Sequence, residues 1–187
     1  MKLKFSLLSL TTGAMALIFS NFASAATGGT AMNFHGTLVN EPCTVQPGDE
    51  NITLNFGTVI DKGLYQYQKT NSQPFSIHLV DCAISSWAGD GTVTVKFSGP
   101  ASTELPGYLA VTDEATGSTD MGIAIGIQTS DGTLLPLDQT TTPILLRDGS
   151  DALNFMAFVE GEPSALQNES IKRGSFSAVA TFYLEYQ

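Results

Sequence analysis

The run from Phe176 to Tyr186, FSAVATFYLEY, places Phe176, Ala178, Ala180, Phe182, Leu184 and Tyr186 on every second residue. Side chains alternate across a β-strand, so one face of this strand collects all six. A second segment behaves alike. In TAMNFHGTL, Thr30, Met32, Phe34, Gly36 and Leu38 share one face, while Ala31, Asn33, His35 and Thr37 share the other. Each of these two far-apart strands needs a cover for its apolar face, which restricts the chain to folds in which strands pack face to face. The plainest solution lets both contribute to the core of one domain.

The residues between them carry almost no helical periodicity. Strand-like runs recur instead at 33–39, 51–57, 75–82, 91–99, 121–129, 153–161 and 175–186. Gly, Asp, Pro and Asn clusters separate them. Asp90-Gly91, Asp131-Gly132 and Asp148-Gly149 are dipeptides that tolerate the positive φ of tight turns. Short alternating strands at this spacing predict an all-β sandwich. With no internal repeat, low-complexity linker or break in composition, one domain is expected.

The first residues read as a leader rather than as fold. Lys2 and Lys4 precede an apolar stretch from Phe5 to Phe19, followed by Ala23-Ser24-Ala25. A basic start, a short apolar run and an A-x-A site make a secretory signal peptide, expected to be cleaved after Ala25. The apolar run is short for a membrane span and no later stretch approaches one, so stable membrane insertion is not expected. The full sequence holds 8 basic and 18 acidic residues. Lys2 and Lys4 leave with residues 1–25, so 6 basic and 18 acidic residues remain, a net charge of −12. Such a surface repels nucleic acid and anionic lipid. The acidic residues are scattered, as on a solvated, self-repelling surface.

Two cysteines, Cys43 and Cys82, in an exported chain favour a disulfide. Closing a loop of about 40 residues stabilises a fold by roughly 4 kcal/mol in the chain-entropy model. A shared metal is the competing reading, but His35 and His78 show no ligand spacing relative to the cysteines. Catalytic motifs are missing: there is no G-x-S-x-G elbow, phosphate loop, dinucleotide fingerprint or EF-hand spacing. His78 alternates with Ser76 and Val80, as a strand-face residue does. Glu160 and Glu162 could share a face, which is common on solvated segments. NIT at 51–53 and NES at 168–170 match the N-glycosylation pattern, as short motifs do by chance. Trp87 in ISSWAGD reads as a half-buried loop anchor, with a surface contact as the alternative. No enzyme, cofactor or metal is expected.

Taken together, FHGTLVNEPCTV (34–45), LNFGTV (54–59), GIAIGIQTSDGTLLPL (122–137), LNFMAFVEG (153–161) and GSFSAVATFYLEYQ (174–187) resemble the pilin subunits of the chaperone–usher pathway, the building blocks of type 1 and P pili. The most specific part combines Gly174, the alternating run from Phe176 to Leu184, and Tyr186 beside Gln187. The resemblance implies an incomplete immunoglobulin-like β-sandwich lacking its last strand. It divides the chain into a signal peptide (1–25), an N-terminal donor-strand extension (26–38) and a pilin domain (39–187). A periplasmic pilus chaperone would lend a strand along Gly174, Phe176, Ala178, Ala180, Phe182, Leu184 and Tyr186, and bind the terminal carboxylate of Gln187. At the outer-membrane usher, a neighbouring pilin subunit's extension would replace it, which is β-strand addition. Thr30, Met32, Phe34, Gly36 and Leu38 would be the donor residues of this chain. Gly36 matches a glycine of that strand, whereas Thr30 stands where relatives often carry a more apolar residue. The implied function is a structural subunit of an adhesive pilus on the surface of a Gram-negative bacterium. A carbohydrate-binding tip adhesin of the same pathway is the second reading, and a closed-sandwich hydrolase a distant third.

Overall fold

Alternation of apolar and polar residues builds most of the fold. The computed structural model describes residues 41–187. Its strands are β1 (Thr44–Val45), β2 (Gln73–Cys82), β3 (Thr92–Ser98), β4 (Leu109–Ala110), β5 (Thr112–Asp113), β6 (Ile123–Thr129), β7 (Ile144–Leu145), β8 (Gly149–Gly161), β9 (Phe176–Ser177) and β10 (Thr181–Tyr186). Two short helices, α1 (Asp61–Tyr67) and α2 (Pro163–Gln167), complete the set. The expected strands at 75–82, 91–99, 121–129 and 153–161 are β2, β3, β6 and β8. The glycines of the three Asp-Gly pairs have φ of 73°, 87° and 95°. The run at 33–39 lies outside the described residues.

The strands form a five-stranded sheet, ordered β1-β2-β8-β6-β4, and a three-stranded sheet, ordered β10-β3-β7. All pairs are antiparallel. Ile77, Leu79, Leu153, Phe155 and Val159 of the first sheet and Val93, Val95 and Phe97 of the second are buried in one core. Phe97 joins the two sheets, its ring 5.1 Å from Phe155 and 5.9 Å from Phe75. Edge-on aromatic contacts of this kind add to the burial of their area. An immunoglobulin sandwich has strands A, B, E and D in one sheet and C, F and G in the other. Here β1, β2, β8 and β6 take the first four positions, and β3 and β10 take C and F. Among the described residues no strand stands at G. The fold is an incomplete immunoglobulin-like β-sandwich.

Three departures from the sequence reading have local causes. The run 51–57 is not a strand. Its inward residues Leu54 and Phe56, with Val59 beyond, lie half-buried against the core, but no neighbour on either side supplies a ladder among the described residues. The helices α1 and α2 have 7 and 5 residues, each with a single buried side chain, Leu64 and Ala165. Fewer than two turns cannot display a period of 3.6.

The run 175–186 is also not one strand. Phe176 and Ser177 pair with β5 as a separate two-stranded ribbon, whereas Thr181 to Tyr186 pair with β3. Between them the chain crosses the end of β3 at Gly99, where a Cβ would stand 2.8 Å from the Val179 carbonyl oxygen and 2.5 Å from Leu109. Only a glycine leaves room for that close approach.

A disulfide joins Cys43 to Cys82, 39 residues apart. It clamps the beginning of the described chain to the end of β2, where Ala83 also donates to the Pro42 carbonyl at 2.8 Å.

Candidate functional site

The two edges of β10 differ. One edge is fully paired with β3, from Thr181 opposite Ser98 to Tyr186 opposite Val93. The ladder runs on to Gln187, whose N–H donates to the Thr92 carbonyl at 2.9 Å. The other edge has no strand beside it among the described residues. An unpaired edge exposes a row of N–H and C=O groups, a ready template for a further strand.

The side chains repeat this asymmetry. From Phe176 to Gln187, half-buried and exposed residues alternate without interruption. The half-buried set is Phe176, Ala178, Ala180, Phe182, Leu184 and Tyr186, and all six pack against the core. None of them is fully buried. Gly174 precedes β9, and a Cβ there would meet nothing closer than 3.8 Å, so close packing does not account for that glycine. Thr30, Met32, Phe34, Gly36 and Leu38 lie outside the described residues.

At the Phe176 end the apolar face opens into a cavity of about 310 Å³, lined by Val59, Leu64, Met121, Ile123, Ile171 and Phe176. The segment leading to α1 thus stands across a gap from the start of β9. Sequence reasoning missed this wall. Charges ring the opening: Arg173 bonds Asp61 at 2.6 Å and Lys172 bonds Asp120 at 2.7 Å. The Arg173 side chain beside Asp61 holds that carboxyl below the usual carboxylate range. At the opposite end, the Trp87 ring packs edge-on against Tyr186, with centroids 6.1 Å apart. Burial, reinforced by the Glu41 charge, pushes the Tyr186 phenol up to about 12.

The residues considered for chemistry are engaged elsewhere. The exposed His78 has its ring nitrogen Nδ1 2.8 Å from Asp49 Oδ2, which also accepts the His78 backbone N–H at 2.7 Å. This pair fastens the 3-10 turn at Asp49–Asn51 to β2. Glu160 accepts a hydrogen bond from the Tyr108 hydroxyl at 2.9 Å, and Glu162 accepts one from Ser102 at 2.7 Å. They do not converge on a cleft. Among the described residues there is no cluster of three metal-ligating side chains, and no helix is long and apolar enough to cross a membrane. What the described residues leave is a half-buried apolar face beside a backbone edge with no strand next to it.

A family model described as Fimbrial protein matches residues 32–187. The chain is 36% identical over 180 residues to a Proteus mirabilis protein assigned as the minor fimbrial subunit PmfF, covering 96% of each. It is 30% identical to the major MR/P fimbria protein of the same organism, covering 99% of this chain and all of that one. Among solved structures, the P pilus rod subunit PapA superposes with a TM-score of 0.67 at 26% identity, over 79% of this chain and 100% of PapA. A chaperone–usher pilus, studied for the uncoiling of its rod, gives 0.67 at 27% identity, over 86% of this chain and 97% of that one.

Proposed function

The chain belongs to the fimbrial protein family, and from that membership we propose that it is a pilus structural subunit assembled through donor-strand exchange. Its relatives are structural fimbrial subunits of Gram-negative surface appendages rather than enzymes, and it is a subunit of that kind. In this reading residues 1–25 direct export and are removed, 26–38 donate a strand to a neighbour, and 39–187 form the acceptor domain. A periplasmic chaperone covers the edge of β10 first, and a neighbouring subunit's extension replaces it at the outer-membrane usher.

The single observation that carries the reading is the half-buried face of β10 beside its unpaired edge. A strand laid there gains backbone hydrogen bonds along the edge and side-chain contacts on the alternate face. The last strand of an immunoglobulin sandwich runs antiparallel to its neighbour. That direction brings Leu38 of a donor to the cavity at Phe176 and Thr30 to Tyr186. Burying Met32, Phe34 and Leu38 contributes on the order of 5–9 kcal/mol before ordering costs.

The test is thermal unfolding of residues 39–187, refolded with the disulfide intact, alone and with a synthetic peptide of residues 26–40. A large rise in the midpoint with the peptide is the expected result. A stable monomer whose midpoint the peptide leaves unmoved would mean a closed sandwich and another function. In cells, Gly36→Phe should leave chaperone capture intact and stop the subunit docking onto its acceptor, because a bulky side chain blocks the close approach of strand to groove. Pulldown with the chaperone and counting of the subunit in purified pili separate the two steps, and normal incorporation would remove the donor assignment.

A further inference from the structure

The two ends of the groove differ in how much room they leave. The Phe176 end opens into the cavity of about 310 Å³. At the Tyr186 end, the Trp87 ring packs edge-on against Tyr186, and the chain between β2 and β3 is shaped to hold it there. The 3-10 turn Ile84–Ser86 is closed by the Trp87 N–H, which donates to the Ile84 carbonyl at 3.1 Å. Ser85 N–H donates to Asp148 Oδ1 at 2.9 Å, anchoring the turn from outside. Ile84 packs against the core. Gly89 then lets the loop fold back over the indole: a Cβ at this position would stand 2.4 Å from the Trp87 ring and 2.8 Å from the Gln187 carbonyl oxygen. The indole is thereby held half-buried against the Tyr186 ring, the two planes at 80°.

The donor segment of this chain has matching ends. An antiparallel strand brings Thr30, small and polar, to Tyr186 and Leu38, larger and aliphatic, to the open cavity. We propose that Trp87 is a specificity-determining residue of the groove: with Tyr186 it narrows the far end, so that the groove selects donor strands whose first inward residue is small. This rests on the donor-strand reading above and adds to it a rule for partner choice, because a clash built against the wrong partner discriminates as well as a contact made to the right one. Strands that carry Thr or a smaller residue there are accepted, and strands with a bulky aliphatic residue are refused.

The test uses the full chain, refolded from denaturant with its disulfide intact. An excess of two peptides of residues 26–40 is present in equal amounts, one natural and one carrying Thr30→Leu. Native mass spectrometry reads which peptide is captured. The wild-type chain should favour the natural peptide by about tenfold, the discrimination a filled pocket gives against a larger side chain. Trp87→Ala should bring the two peptides to near-equal capture. Equal capture by the wild-type chain, or an undiminished preference in Trp87→Ala, overturns the proposal. Should Trp87→Ala fail to refold, Trp87→Phe keeps an aromatic contact with Tyr186 in less volume. A preference reduced by that change supports the assignment, and an unchanged one overturns it. Capture of neither peptide by the wild-type chain removes the donor-strand reading itself, and the selectivity with it.

Discussion

β3 and β10 lie side by side in one sheet, and both alternate apolar and polar residues. Their inward faces nevertheless fare differently. Val93 and Val95 of β3 are 0% exposed and Phe97 is 4% exposed, whereas Phe182, Leu184 and Tyr186, their direct partners in register, are only half-buried. The side chains are of similar kind, so composition does not explain the contrast. Position does. β3 has chain on both sides, with β10 on one and the segment 138–146 on the other, where Asp138 and Thr141 donate to its Phe97 and Val95 carbonyls. β10 has chain on one side only among the described residues. Burial of a strand's face is therefore decided by its neighbours as much as by its own sequence.

Phe97 and Phe182 face each other across the ladder, so the same substitution at both positions tests that contrast directly. Phe97→Ala empties a fully packed site and should cost as much as about 5 kcal/mol. The loss should be the same with or without the donor peptide, as read from denaturant midpoints. Removing the disulfide through Cys43→Ala with Cys82→Ala should cost about 4 kcal/mol in the chain-entropy model. It acts on the whole domain, so it should leave the increment gained from the peptide unaltered. Phe182→Ala should cost only about 2 kcal/mol in the chain without peptide, since a half-exposed ring has less to lose, and distinctly more once a donor covers it. Equal losses at Phe97 and Phe182 without peptide would break the comparison.

The smallest effect lies away from both strands. Hydrogen bonds from the backbone and ring of His78 hold the Asp49 carboxyl below its usual range. A depressed folded-state value stabilises the fold above the ordinary carboxylate range, and the contribution fades as pH falls through the depressed value. Amide exchange at Asp49–Asn51 should quicken over that acidic interval and become independent of it in Asp49→Asn. Donor binding should not change.

The legible part of this fold was the part in which a strand's pattern and its neighbours agree. β2, β3, β6 and β8 each carry three or more apolar residues on one inward face, bounded by turns, and each has partners that use them. The run 51–57 had a convincing pattern too, but Leu54 and Phe56 pack half-buried against the core with no ladder partner among the described residues. Pattern reports what a segment could bury; pairing depends on what is there to bury it against. The six inward residues of 176–186 were legible as one apolar face, whereas the convergence of Leu64, Met121 and Ile171 was not. Those three come from a helix and two loops that converge only in three dimensions. Trp87 was recognisable as a half-buried loop anchor, but its seat on Tyr186 depends on Gly89, whose importance is steric and leaves no periodic trace.

The crossing at Gly99 has a mechanical consequence. Because the stretch from Phe176 to Tyr186 begins beside β5 and ends beside β3, a strand seated along its whole length would bridge the small ribbon and the three-stranded sheet. Tension along a fibre would then pull that strand lengthwise, loading its hydrogen bonds in shear and sharing the force between two separately anchored parts of the domain. Peeling, which breaks bonds one at a time from an end, would need a pull across the strand. With such a strand seated, the break in the last strand would distribute load, as overlapping courses do in masonry.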